Sequence, residues 1–210
     1  MATGSDRVTE AVAGVLLTGG ASRRMGRDKA TMEVEGTALA GRVAAALAEV
    51  ASPCLEVGSG VSGLPSVLID TARQGPLVAV ATAAKWLLDQ RSSARHVLTL
   101  ACDLPLVTPA VLRWLLEYPS DRSILPVVGG RTQPLCARWT RSDLELAVAA
   151  VGQGATAMRA LVDLASPDRV HPAEWAHVAA GDAFDDVDTP ADWQRLVVQR
   201  PPGAFAVTVT

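Results

Sequence analysis

The chain has 210 residues, of which 49% are apolar and 20% are charged, and its formal net charge at pH 7 is −3. This length suits one α/β domain with a sizeable core, and the composition excludes an intrinsically disordered chain. The small negative charge argues against a general nucleic-acid binder, and no apolar run approaches the roughly 20 residues of a membrane-spanning helix.

An apolar run at Val12–Leu17 leads directly into a loop that is rich in glycine and basic residues. The run is short and ends at a glycine pair, which predicts a buried strand. The loop holds one acid, Asp28, together with Gly19, Gly20, Gly26, Arg23, Arg24, Arg27 and Lys29. Exposed backbone N–H groups and local positive charge suit a polyphosphate, so we predict an anion site, with a solvated surface loop as the alternative. The spacing matches neither a Walker A loop nor the G-x-G-x-x-G dinucleotide pattern.

Short strands and helices alternate through the rest of the first half. Strands are predicted at 31–35, 54–57, 66–69 and 96–101, and helices at 38–50, 76–88 and 109–117. Thr37 and Thr108 are the predicted N-caps of the first and third helices, and Pro76 stands in the first turn of the second. This alternation is typical of right-handed βαβ units on a mainly parallel sheet with helices on both faces.

Residues with useful chemistry follow the ends of three of these strands. Gly19 follows the first strand, Asp70 ends the third, and Asp103 follows the strand at 96–101. Because ligands bind beyond the carboxyl ends of parallel strands, we predict that these residues gather at one edge of the sheet. Asp103 could hold Mg²⁺ against phosphate oxygens; a capping role is the alternative, although Thr108 can already cap the next helix. Asp70 could equally be an ordinary turn residue.

The second half of the chain has a less regular pattern. Segments 123–128 and 135–139 are predicted to form a hairpin-like pair that turns at Gly129-Gly130. Helices are predicted at 142–151, at 156–165 and from 190 to about 199, a strand at 169–171, and a short β-like segment at 184–187. No Ser/His/Asp or Cys/His arrangement is visible, so covalent catalysis by a protein nucleophile is not expected.

The three cysteines, Cys54, Cys102 and Cys136, lack metal-ligand spacing and are odd in number. They favour buried thiols in a reducing cytoplasm over disulfides. The first ten residues are polar and contain no signal-peptide core. We therefore expect a cytoplasmic protein with one domain over 1–210, loose tails at 1–10 and 201–210, and neither a membrane nor a nucleic-acid partner.

The glycine-rich loop also resembles the signature of a known family. Residues 17–29 read Leu-Thr-Gly-Gly-Ala-Ser-Arg-Arg-Met-Gly-Arg-Asp-Lys. This is similar to the L-A-G-G-x-S-x-R-M-G-x-D-K signature of the molybdenum cofactor guanylyltransferases, with Thr18 in place of the usual alanine. The resemblance implies a Rossmann-like three-layer α/β sandwich with a mainly parallel sheet, of the nucleotide-diphospho-sugar transferase type.

The same resemblance implies roles for residues on the nucleotide side. The nucleotide-binding residues would be Leu17, Thr18, Gly19, Gly20, Lys29, Asp70 and Asp103. Lys29 would face the β- and γ-phosphates, Arg24 would stabilise charge on the departing pyrophosphate, and Asp103, in a C-D-x-P segment, would bind Mg²⁺. Asp70 opens a segment similar to D-x-x-x-x-G-P-L-A-G, in which Val78-Ala79 replaces the last pair.

Three further segments resemble the side of the family site where the second substrate lies. They are 131–135, similar to R-x-Q-P-L, 154–161, and 186–190, similar to N-x-N-T-P, and they supply Gln133, Pro134, Arg159, Asp186 and Asp188. The two aspartates replace asparagines, and they would repel an anionic pterin phosphate unless a cation intervenes. Aspartates in this segment also occur in the related cytidylyltransferases that act on the same pterin.

The resemblance implies transfer of GMP from GTP to molybdenum–molybdopterin, with Mg²⁺ as cofactor and pyrophosphate as the second product. Transient contacts with molybdoenzymes or their chaperones are the further implied partners. Three alternatives stay open: a CTP-dependent molybdopterin cytidylyltransferase, another nucleotidyltransferase such as one acting on sugar 1-phosphates, and a non-catalytic nucleotide-binding maturation partner. The glycine pair and the segments 75–77 and 133–135 favour GTP over CTP.

Overall fold

The computed structural model describes residues 11–19, 28–69, 74–179 and 182–198. The strands are β1 (Val12–Leu17), β2 (Glu33–Val34), β3 (Thr37–Ala38), β4 (Cys54–Gly58), β5 (Ser66–Leu68), β6 (His96–Ala101), β7 (Ile124–Val128), β8 (Arg131–Thr132), β9 (Cys136–Thr140) and β10 (Asp168–Val170). The helices are α1 (Leu39–Ala48), α2 (Pro76–Asp89), α3 (Pro109–Glu117), α4 (Arg141–Gly152), α5 (Met158–Ala165), α6 (Pro172–Trp175) and α7 (Pro190–Val198).

The main sheet has the strand order β10-β7-β9-β6-β1-β4-β5, with β8 paired to the side of β7. Parallel pairing joins β1 to β4 and β6, β4 to β5, and β7 to β10. Strand β9 runs antiparallel to both β6 and β7. The chain moves outward from β1 through β4 and β5 and then returns to place β6 on the other side of β1. The boundary between β1 and β6 is therefore the topological switch point, where open α/β sheets bind ligands.

The sheet separates two apolar clusters, because successive side chains of a strand point to opposite faces. Ala13, Val15 and Leu17 of β1 belong to the cluster that α2, α4 and α5 cover. Leu16 belongs to the opposite cluster, which α1 and α3 cover. The three-layer α/β architecture with a mainly parallel sheet is therefore confirmed.

Most of the predicted elements are present with small differences at their ends. The strands at 12–17, 54–57, 66–69 and 96–101 and the helices at 76–88, 109–117 and 142–151 are confirmed. The capping prediction for Thr108 is also confirmed, since its side chain accepts a hydrogen bond from the N–H of Val111 at 3.4 Å. The predicted tails 1–10 and 201–210 lie outside the described residues.

The prediction for residues 31–38 is wrong in detail. A 3₁₀ turn occupies Lys29–Thr31, and a two-stranded hairpin of β2 and β3 follows it. Glu35 and Gly36 form the hairpin turn with positive φ angles of 52° and 75°. Thr37 consequently pairs with Val34 in β3, and α1 begins at Leu39 without a side-chain cap.

Of two predictions for the second half, one is confirmed in part and the other is wrong. Segments 123–128 and 135–139 do pair antiparallel, at Ile124 and Arg138, but the turn at Gly129-Gly130 joins β7 to the short β8. Strand β9 lies between β7 and β6, and its longer register is with β6. Residues 184–187 form no strand, because Val187 donates its N–H to Asp103 in the turn after β6 and not to a strand. The short helix α6 was not predicted.

The three cysteines carry free thiols. Burial raises the pKa of Cys54 to about 11 and that of Cys136 to about 12, so both are poor nucleophiles at neutral pH. None of the helices in the described part of the chain has the length and apolarity needed to cross a membrane.

A buried arginine provides the first stability prediction. Arg138 of β9 is 1% exposed, and its guanidinium donates to the carbonyl oxygens of Leu116, Tyr118, Ser120 and Arg122. Arg138→Met should lower the free energy of unfolding by about 3 kcal/mol, because several carbonyls lose a charged donor. Urea denaturation measures the change.

The matched control is Arg113→Met, since Arg113 lies on the surface with an exposed ion pair to Glu49 at 3.4 Å. Arg113→Met should lower the free energy of unfolding by no more than about 0.5 kcal/mol. Equal costs for the two variants would contradict a structural role for the buried guanidinium.

Candidate functional site

The register of the central strands brings three loops together at one edge of the sheet. Leu17 lies beside Val57 on one side and Ala101 on the other. The ladder continues for one more residue, since the N–H of Thr18 donates to Val57 at 3.1 Å and that of Cys102 donates to Leu17 at 3.0 Å. Gly19 and Asp103 therefore leave the sheet at the same edge, at the switch point between β1 and β6.

Lys29 reaches this edge from a short capped turn. The Asp28 side chain accepts a hydrogen bond from the N–H of Ala30 at 3.0 Å and so caps the 3₁₀ turn. The Lys29 Nζ lies 3.5 Å from Oδ2 of Asp103 and also donates to Oδ1 of Asp188. The Lys29 side chain is 13% exposed, and its ammonium group pairs with two carboxylates from distant parts of the chain.

The segment around Asp188 is anchored directly to the Asp103 turn. The N–H of Val187 donates to the carbonyl oxygen of Asp103 at 2.9 Å. The Val187 side chain is buried in a small cluster whose other members are Met32, Val34, Leu39 and Leu196. The cluster and the hydrogen bond to Asp103 hold residues 184–187 at the end of β6 without pairing to a strand.

A capping interaction orders the start of α7 beside this loop. The Asp192 carboxylate accepts from the N–H of Asp188 at 3.1 Å and from that of Thr189 at 2.7 Å. The Asp192 N–H donates in return to the Thr189 hydroxyl at 3.2 Å. Asp192 thus binds within the loop itself, whereas Asp188 pairs with Lys29.

The charges at this edge are coupled. Burial raises the pKa of Asp103, the Lys29 charge opposes the rise, and the charges of Asp188 and Asp186 add to it. Burial alone would lower the pKa of Lys29, but its hydrogen bond to Asp188 and the charge of Asp103 outweigh burial and raise it. Lys29 therefore stays protonated, and the acidic side chains outnumber it among the described residues. Such a site favours an added cation.

A second buried carboxylate, Glu56, was not predicted as part of the site. It lies in β4, is fully buried, and accepts hydrogen bonds from the N–H groups of Gly60, Val61 and Ser62 at 2.6, 2.9 and 2.7 Å. The Thr18 hydroxyl also donates to it. These donors outweigh the effect of burial and lower the pKa of Glu56, so the group is ionised. A single acid within the apolar run 54–57 was the sequence signal that could have identified it.

The predicted acceptor-side residues differ in their positions. The N–H of Ala101 donates to Leu135 at 2.8 Å, which brings Gln133 and Pro134 to the same sheet edge as Asp103. The carbonyl of Pro134 is held by the buried Thr99 hydroxyl at 3.2 Å. Arg159 instead lies on α5, where its side chain is 89% exposed and 3.5 Å from Asp163.

The loop before α5 contacts the start of α2. The N–H of Leu77 donates to the carbonyl of Thr156 at 3.1 Å, and Gly75 adopts a positive φ of 87° beside it. A Cβ on Gly75 would lie 2.6 Å from that carbonyl, so only glycine fits. The segments 75–77 and 154–156, both predicted from the resemblance, are therefore neighbours.

Three predicted nucleotide-side residues lie outside the described residues, namely Gly20, Arg24 and Asp70. Leu17, Thr18, Gly19, Lys29 and Asp103 are described, and their strand register and ion pairs bring them to one region. Asp188, predicted on the second-substrate side, joins this same group through Lys29.

Comparisons with known proteins give a consistent picture. The model of the MobA-like NTP transferase domain matches residues 14–170. A probable molybdenum cofactor guanylyltransferase from Mycobacterium avium is 30% identical over 198 residues, which cover 90% of this chain and 96% of the relative.

Two solved structures share the fold. The crystal structure of molybdopterin-guanine dinucleotide biosynthesis protein A from Archaeoglobus fulgidus has a TM-score of 0.68 at 17% identity, covering 88% of this chain and 96% of that one. A Mycobacterium tuberculosis H37Rv protein in complex with manganese has a TM-score of 0.61 at 15% identity, covering 89% and 98% of the two chains.

A glycine at the end of β4 allows a direct test of the packing at this edge. Gly58 has a φ of 143°, and a Cβ there would lie 2.8 Å from the backbone N of Gly19 and 2.7 Å from the Thr18 hydroxyl oxygen. Gly58→Ala should lower the free energy of unfolding by at least about 2 kcal/mol, because the clash adds to the backbone strain. Thermal or urea unfolding measures it.

Gly63→Ala is the control, since Gly63 has a φ of 87° but no atom within 4 Å of the added Cβ. Only backbone strain remains there, at about 1 kcal/mol. If Gly58→Ala costs no more than Gly63→Ala, the close approach of β4 to the Thr18-Gly19 backbone is incorrect.

Proposed function

Because the chain belongs to the MobA-like NTP transferase family, we propose that it transfers GMP from GTP to molybdenum–molybdopterin and releases pyrophosphate. The observation that carries this proposal is the pairing of Asp103 and Asp188 with Lys29 beside the Thr18-Gly19 turn. The name and the 96% coverage of the Mycobacterium avium relative support the choice of both substrates.

Lys29 and the glycine turn are suited to bind the triphosphate. Lys29 stays protonated, and its Nζ lies 3.5 Å from the Asp103 carboxylate at the end of β6. From the sequence, we expect the glycines that follow β1 to leave backbone N–H groups open to phosphate oxygens. We assign Lys29 to the β- and γ-phosphates and, from the motif alone, Arg24 to the charge on the departing pyrophosphate.

The acidic groups are suited to a divalent cation. Asp103 and Asp188 present hard carboxylate oxygens to the same ammonium, and no cluster of three or more His, Cys, Asp or Glu suited to a metal is present in the described ranges. Two carboxylates completed by substrate phosphates are the usual protein environment of Mg²⁺. The manganese complex of the Mycobacterium tuberculosis protein of the same fold supports a divalent ion. Bound there, Mg²⁺ would neutralise phosphate charge.

The proposed reaction is a direct displacement at phosphorus. An oxygen of the terminal phosphate of the pterin attacks the α-phosphorus of GTP in line, and the bond from that phosphorus to the β-phosphate oxygen breaks. Pyrophosphate leaves with the bonding electron pair. Lys29 stabilises the charge that builds up on the phosphates. The rate acceleration therefore comes from positioning of the two substrates and from electrostatic stabilisation, without a protein nucleophile.

The acceptor is expected on the β9 side of the site. Gln133 and Pro134 stand at the sheet edge next to the end of β6, and the hydrogen bond from Val187 to Asp103 holds the loop that carries Asp188 at the same edge. We assign Gln133, Pro134, Asp186 and Asp188 to the pterin side. The Arg159 side chain is largely exposed to solvent, so its proposed role is an early electrostatic contact with the anionic pterin.

The central test is the substitution Asp103→Asn. It keeps the size of the side chain and removes the charge that would hold the cation, so kcat should fall by a factor of about 10² to 10³. Pyrophosphate release with GTP, Mg²⁺ and molybdenum–molybdopterin is the measurement. Circular dichroism should show an intact fold.

The matched control is Asp163→Asn, because Asp163 is an exposed aspartate on α5 whose side chain is 67% accessible. Its turnover should stay within about twofold of the unmodified protein, as for most surface substitutions. Normal turnover by Asp103→Asn would refute the metal role.

Nucleotide choice is tested by direct competition. With molybdenum–molybdopterin as acceptor and equal GTP and CTP, we expect the guanine dinucleotide to be the main product. Mass spectrometry of the pterin products distinguishes the two. A predominance of the cytosine product would favour the cytidylyltransferase alternative, with which Asp186 and Asp188 are also compatible.

A further inference from the structure

Glu56 has an environment that the proposed reaction does not explain. The side chain is fully buried, yet it is ionised and surrounded by hydrogen-bond donors. A buried carboxylate is costly unless its oxygens are well paired, so such a group indicates a local geometry that must be held. The element held is the loop of residues 59–62 that follows β4, called here the β4 loop.

The carboxylate joins the β4 loop to the residue before the glycine turn. Gly60, Val61 and Ser62 donate their backbone N–H groups to it, and the hydroxyl of Thr18, the residue after β1, also donates. Ser59 closes the connection, because its N–H donates to the Thr18 hydroxyl oxygen and its own hydroxyl donates to the Thr18 carbonyl, both at 3.0 Å.

These bonds also limit what the β4 loop can bind. Three successive N–H groups that converge on one point form the kind of nest that binds an anion. Here Glu56 already occupies the nest, so the loop cannot offer those donors to phosphate. The phosphates therefore belong to the Lys29 and Gly19 side of the edge.

The position of the loop suggests what remains for it to contact. Lys29 and Asp103 stand at the β1–β6 boundary, and Gln133 lies farther out, beside β6 and β9. The β4 loop lies on the other side of β1. If the triphosphate lies at this boundary and the acceptor lies beyond β6, the space that remains for the nucleoside is beside the β4 loop.

We propose that Glu56 is a positioning residue that locks the β4 loop onto Thr18 and so forms the wall against which the nucleoside part of the nucleotide rests. The inference rests on the proposed function only in requiring a nucleoside triphosphate at this edge. It also gives a role to Thr18, where the family signature has alanine. The Thr18 hydroxyl donates to Glu56 and accepts from the Ser59 N–H, which connects the end of β1 to the β4 loop.

The test compares two ligands that share the phosphates and differ in the nucleoside. The dissociation constants of GTP and of inorganic tripolyphosphate, each with Mg²⁺, are measured by titration calorimetry for Glu56→Gln and Thr18→Ala. The glutamine keeps the shape but faces the Ser62 N–H with a donor, and alanine removes the hydroxyl. Both variants should bind GTP about tenfold more weakly and tripolyphosphate within about twofold of the unmodified protein.

Two controls separate positioning from general loss of stability. Thr18→Ser keeps the hydroxyl and should restore the affinity for GTP. Asp143→Asn removes a carboxylate that accepts from the Ser123 hydroxyl near the start of α4, at the opposite edge of the sheet, and should leave GTP binding unchanged even where the melting temperature falls.

Unchanged GTP affinity in Glu56→Gln, or an equal loss for GTP and tripolyphosphate, would overturn the inference. If Glu56→Gln does not fold, the pair Thr18→Ala and Thr18→Ser decides it by the same comparison. Failure of the proposed function has a different signature, since the unmodified protein would then bind GTP without releasing pyrophosphate in the presence of molybdenum–molybdopterin.

Discussion

The ammonium group of Lys29 brings two carboxylates together at one edge of the sheet. Lys29 stands 3.5 Å from Asp103 and donates to Asp188, although 159 residues separate Lys29 from Asp188 in the chain. Without the lysine the two acids would repel each other across a half-buried edge. The ion pairs therefore join Lys29, the end of β6 and the last loop before α7 in a single region.

The sheet supports this region through its register. Parallel pairing of β1 with β4 and β6 aligns their carboxyl ends, so that three loops leave the sheet at the same level. Glu56 uses this alignment on one side of β1 and Asp103 uses it on the other. The Glu56 carboxylate accepts three backbone N–H groups of the β4 loop, whereas the Asp103 carboxylate pairs with Lys29 and its side chain is 26% exposed.

Much of the fold could be predicted because its signals are local. The apolar run at Val12–Leu17, the proline at the start of α2 and the Thr108 cap each act within a few residues. The errors arose where partners compete. Thr37 was a reasonable cap until the β2–β3 hairpin paired it with Val34, and β9 was adjacent to β7 in sequence but bonded mainly to β6.

Local sequence patterns were enough to predict most of the order of the elements, and they predicted that Lys29 and Asp103 lie at one site. Spacing and residue type carry this information because turns, caps and side-chain periodicity are short-range effects. Three contacts became visible only in the folded chain: Asp188 binds Lys29, Val187 anchors its loop to Asp103, and the β4 loop encloses Glu56. Those contacts depend on how apolar clusters far apart in the chain pack together, and no local pattern records that packing.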